Sequence, residues 1–86
     1  MRDRDIWLAR TQIALGQFAR HLAGTPTRRE RGRAFAWRHW APAFSSLVRE
    51  AEALPWTPNV ARLMPRLMDA WLRAQRRSRA DVRASN

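Results

Sequence analysis

Apolar residues recur along this chain at three- and four-residue intervals, and no segment alternates with the period of two that a half-buried strand requires. The pattern predicts an all-α fold, and turn-forming residues divide it into four helical stretches. The first covers 4–23, with Asp3 and Asp5 placed to complement the positive end of the helix dipole. Gly24 and Pro26 close it in the usual order, glycine just past the last turn and proline beyond. Thr27, with Glu30 three residues on, has capping-box spacing and opens a second stretch. Pro42 is expected to stop or kink that stretch after Trp40 and Ala41, because its ring carries no N–H and crowds the preceding turn. A third stretch covers 43–54. Thr57 and Pro58 then supply an N-cap and a first-turn proline for the fourth, which the periodicity carries to Arg77. Residues 78–86 show no apolar period and are expected to form a loose, disordered basic tail. The expectation is a small bundle of about four short helices over 1–77, a single domain without repeats.

Placing residues at about 100° per step shows what each helix buries. In the first, Trp7, Leu8, Ala14, Leu15, Phe18 and Leu22 share a broad face, opposite Arg10, Gln17 and Arg20. Ile6 and Ile13 fall on the polar side, which a solitary domain has little reason to tolerate, so they are candidates for a protein contact. The second stretch buries Trp37, Trp40 and Ala41. The third lines up Phe44, Leu47, Val48, Ala51 and Leu54 against a solvated face of Ser45, Arg49, Glu50 and Glu52. The fourth has a stripe of Val60, Leu63, Met64, Leu67, Met68 and Trp71. Five tryptophans are many for this length, and at least three of them are expected to fill a thin core.

Charge changes the picture. Eighty-six residues allow one core, 45% of them are hydrophobic, and 17 basic against 7 acidic residues give +10. All 17 are arginine. A GC-rich coding sequence explains arginine over lysine but not the excess of positive over negative charge, which points to a polyanionic partner. The excess is also localised: 25–41 carry five arginines and one glutamate, 62–86 seven arginines and two aspartates, while 42–61 are slightly acidic. On the fourth stretch Arg62, Arg66, Arg73, Arg76 and Arg77 gather opposite the apolar stripe, interrupted by Asp69. On the second, Arg28, Arg31, Arg38 and His39 surround Phe35, flanked by Arg29 and Arg33. Guanidinium groups pair bidentately with phosphate, and a ring among them can stack on a base. Phe35 therefore reads either as a base-stacking residue or as a core or partner contact.

Catalytic chemistry has little to stand on. Glu50 and Glu52 point apart on a helix, and Glu30, Asp3, Asp5 and Asp69 are accounted for by helix ends or neighbouring arginines. His21 and His39 have no ligand at metal spacing, cysteine is absent, and there is no glycine-rich phosphate loop, so no cofactor and no metal are expected. The 17–25 segment imitates the first helix and turn of a helix-turn-helix. The element after that turn, however, opens on Arg28 and has no apolar residue before Ala34 to seat a recognition helix. No apolar run approaches the roughly 18 residues of a membrane span. A basic amphipathic helix lying on an anionic membrane fits less well than a bundle, given the proline breaks. The start of the chain is not a secretory signal, and a cytoplasmic location is expected.

Two stretches resemble the small helical subunit of type I CRISPR effector (Cascade-like) complexes. One is Gly32-Arg33-Ala34 through Ala43-Phe44-Ser45-Ser46-Leu47; the other is Leu54-Pro55-Trp56 followed by Ala61-Arg62-Leu63-Met64 and Ala70-Trp71-Leu72. Together they cover about half the chain. The resemblance implies an all-helical, non-catalytic subunit, present in several copies within a crRNA-guided assembly, whose arginines hold a DNA strand and stabilise the R-loop. From the residues themselves the expectation is a basic module that binds nucleic acid by its phosphates, DNA favoured and sequence not read, beside other protein subunits. The alternative is an adaptor or phage- or plasmid-encoded inhibitor that binds an acidic protein through Ile6, Ile13 and Phe35.

Overall fold

The computed structural model describes residues 3–28 and 37–85, with the side chains of 3–28 and 39–80. It is all-helical among those residues, where three of the helices are α1 (Asp3–Leu22), α2 (Trp37–Glu52) and α3 (Pro58–Ser85).

Local chemistry sets two helix ends, at Gly24 and at Thr57, where the sequence placed them. Gly24 has a φ of +72° and closes α1 with paired bonds from Thr25 N to the Arg20 carbonyl (2.8 Å) and from Gly24 N to the His21 carbonyl (3.2 Å). Only glycine takes that conformation without a Cβ penalty. At the start of α3 the Thr57 hydroxyl accepts from Val60 N (3.4 Å), and its carbonyl accepts from Ala61 N (2.9 Å). Thr57 is thus the N-cap, and Pro58 takes the first helical position, where a missing N–H costs nothing.

Two expectations are corrected. Pro42 does not end a helix: α2 runs through it from Trp37 to Glu52. One backbone bond is lost there, while Phe44, Leu47 and Ala51 beyond it are buried in the core and hold the segment helical. Nor does the last helix stop at Arg77. It continues to Ser85, so 78–85 extend α3 instead of forming a loose tail. Arginine and alanine favour helix in themselves, and nothing in that segment breaks one. Of the second predicted stretch, Arg28 is helical, and 29–36, with Arg31 and Phe35, lie outside the described residues.

The helices alternate in direction. Trp7 donates its indole N–H to the Leu47 carbonyl (2.8 Å), while Phe18 meets Trp40 and Phe44, so α1 and α2 are antiparallel. Packing between α2 and α3 is the most extensive, and α1 lies across both. The core unites Trp7, Leu15 and Phe18 with Phe44, Leu47 and Ala51 and with Val60, Leu63, Leu67, Ala70 and Ala74. Trp40 stacks on Phe44 at 5.4 Å, and Phe18 meets Phe44 edge-on at 5.0 Å. Trp7, Trp40 and Trp71 fill or flank this core, as expected of three tryptophans, whereas Trp56 is 65% exposed in the α2–α3 turn. Met68, placed on the apolar stripe by periodicity, is exposed beside Leu72. Ala70 and Ala74 take the buried positions on the side facing α1.

Candidate nucleic-acid interface

α1 and α3 run in the same direction and enclose a shallow groove. One hollow, of about 300 Å³, has Leu15, Phe18 and Ala70 beneath it and Arg66 and Arg73 on its α3 wall. The next, of about 530 Å³, is lined by Leu22 and Ala80 and by Arg73, Arg76 and Arg77. Both share Leu22, Asp69 and Arg73, so they form one channel. Its floor is continuous with the core, since Phe18 belongs to the aromatic cluster with Trp40 and Phe44.

Helix periodicity puts the arginines on this wall. Residues 66, 73 and 77 follow at seven and four positions, close to whole turns, so the guanidinium groups succeed one another over about 16 Å along α3. All four wall arginines are exposed. Asp69 stands among them and accepts from Arg73 Nε at 3.0 Å, with both side chains more than half exposed. An ion pair so solvated adds little stability, and it leaves the other nitrogens of Arg73 available to an anion.

The arrangement gathers four of the predicted site residues, Arg66, Arg73, Arg76 and Arg77. Arg62 is exposed one turn before Arg66 and does not line the groove. Arg28 is exposed after the end of α1. Arg31, Phe35 and the Arg38 side chain lie outside the described residues. Sequence reasoning missed the α1 wall, Ala19 and Leu22, because a helical wheel gives a face but not the helix that faces it.

Around the groove the charge is one-sided. The half of the molecule holding the α1 and α2 ends away from the α2–α3 turn carries Arg20, Arg28, Arg66, Arg73, Arg76, Arg77 and Arg79 against Asp69 alone, among the described side chains. The half around the α2–α3 turn balances Arg4, Arg10, Arg49 and Arg62 with Asp3, Asp5, Glu50 and Glu52. There Arg10 Nη1 donates to both Glu50 carboxylate oxygens at 3.0 Å, bridging α1 to α2. Ile6 (39% exposed) and Ile13 (60% exposed) flank that bridge in hollows of the α1–α2 groove.

Comparison with protein-family models, curated proteins and solved structures finds no match. The groove must be interpreted on its own chemistry. Among the described residues no three histidine, aspartate or glutamate side chains group to hold a metal ion. No helix among them is long and apolar enough to cross a membrane.

Proposed function

We propose that this chain is a non-catalytic, basic subunit that binds nucleic acid through the phosphate backbone within a larger ribonucleoprotein. The observation that carries the reading is that, among the described side chains, one half of the molecule gathers seven arginines and one aspartate, with four of the arginines lining a single groove. Mixed-sign faces are the rule where solvation is the only requirement, and the opposite half has one. Phosphate contacts give affinity and salt dependence without sequence discrimination. An effector complex of the CRISPR type, the assembly suggested by the resemblance above, is one setting for such a subunit.

The test is a salt titration by fluorescence anisotropy with the wild-type chain and the double variant Arg66→Ala/Arg77→Ala. Removing two phosphate contacts should weaken binding by about tenfold or more, equally for unrelated sequences. It should also flatten the dependence of log affinity on log salt by between one and two units. Unchanged affinity and slope would refute the assignment. The rival, an adaptor that binds an acidic protein, predicts instead that Ile6→Ala/Ile13→Ala abolishes complex formation while nucleic-acid binding stays intact.

A further inference from the structure

We infer that the α1–α3 groove takes a single strand of nucleic acid, with phosphates along the α3 arginines and bases against the apolar α1 wall. This rests on the phosphate-binding reading above and goes beyond it, since arginines alone do not distinguish a strand from a duplex.

The distinguishing feature is that the two walls differ. On the α3 side stand Arg66, Arg73, Arg76 and Arg77; on the α1 side Ala19 and Leu22 present apolar surface above the buried Leu15 and Phe18. A duplex keeps its base faces stacked inside and would offer that apolar wall only sugar and phosphate. An extended single strand exposes both chemistries at once, a charged edge and a line of apolar base faces. The dimensions agree, because the arginines span about 16 Å along α3 and so accompany a few nucleotides rather than a helical turn of duplex. Guanidinium planes on the same wall can also stack on a base while their neighbours bind phosphate. Leu22 is half-buried at the point where the two hollows meet, so a base laid there would touch both walls.

A competing geometry exists on the same molecule. The end of α3 beyond Ala74 has no buried residue up to Ala80 and carries Arg76, Arg77 and Arg79, so it could enter a duplex major groove as a helix. That mode leaves the α1 wall unused, and the two modes make opposite predictions.

The experiment compares labelled 20-mers of thymidine, of uridine, of an abasic DNA strand with the same phosphates, and of duplex DNA, all against the full chain at one salt concentration. The inference expects the thymidine or uridine strand to bind at least tenfold tighter than duplex and about fivefold tighter than the abasic strand. Leu22→Ala should remove the advantage over the abasic strand while leaving abasic binding unchanged. Should that variant fail to fold, as judged by its circular dichroism, 4-thiouridine cross-linking to the wild-type chain should map to 19–22. Duplex bound as tightly as single strand, equal affinity for the abasic strand, or cross-links confined to α3 would overturn the inference. In those cases the Arg66/Arg77 result would still decide the phosphate reading separately. No binding of any probe at low salt would overturn both.

Discussion

Thr11 is fully buried in α1, and its hydroxyl has no hydrogen-bond partner among the described residues. Trp7, one turn earlier, shows the ordinary solution, since its buried N–H reaches the Leu47 carbonyl. An unpartnered buried hydroxyl costs about 1–3 kcal/mol of desolvation. Valine keeps the β-branched outline and removes the polar atom. Thr11→Val should therefore stabilise the fold by about 1 kcal/mol, raising Tm by roughly 4–8 °C in a domain of this size. Thermal melting followed by circular dichroism measures it, and a lower Tm would mean that an ordered water satisfies the hydroxyl. The position was legible in the sequence even though the residue was not. Thr11 lies midway between Trp7 and Leu15 at four-residue spacing, on the buried face, but a reading by apolar type passes over a threonine.

At the scale of the helices, what local chemistry decides was readable and what packing decides was not. Gly24 and Thr57 end and begin helices through bonds that involve only their near neighbours, so their residue types sufficed. Pro42 has the same local signature as a helix stop, yet the burial of Phe44, Leu47 and Ala51 outweighs the one bond it removes. The end of α3 shows the converse: periodicity marks where burial ends, and the helix continues past that point. The site divides the same way. A wheel of α3 gathers its arginines, whereas the Ala19–Leu22 wall depends on α1 lying alongside. Pro65 offers a test of how much a proline costs here. It sits inside α3 with its ring exposed and deprives the Ala61 carbonyl of its partner. An interior proline costs up to about 3 kcal/mol relative to alanine, so Pro65→Ala should stabilise the protein by roughly 1–3 kcal/mol in urea denaturation. A loss of stability would show that α2 and α3 pack around a bend that the proline imposes.

The whole molecule is elongated and electrically polar. Twenty-eight residues of α3 rise about 42 Å, which matches the longest dimension of 42 × 27 × 18 Å. The radius of gyration, 13.8 Å, exceeds the roughly 12 Å of a compact chain of this length. The excess reflects the end of α3 that runs on past the last core residue, Ala74, and this is the end that carries the arginine surplus. Salt then acts on two opposed sets of interactions. It weakens the Arg10–Glu50 and Arg73–Asp69 pairs, which are solvent-exposed and so contribute little. It also screens repulsion among the arginines of α3, where successive ones such as Arg73, Arg76 and Arg79 stand within about a Debye length of the next at 0.1 M. Repulsion is the larger effect, so raising sodium chloride from low to physiological strength should increase Tm by several degrees. Polyphosphate should do the same at concentrations where sodium chloride has no effect, because an anion bound in the groove stabilises by mass action as well as by screening. A Tm that falls with salt would show that the attractive pairs dominate. A rise with sodium chloride and no further response to polyphosphate would show that the arginines repel one another without forming a site, which would count directly against the groove as a phosphate ligand.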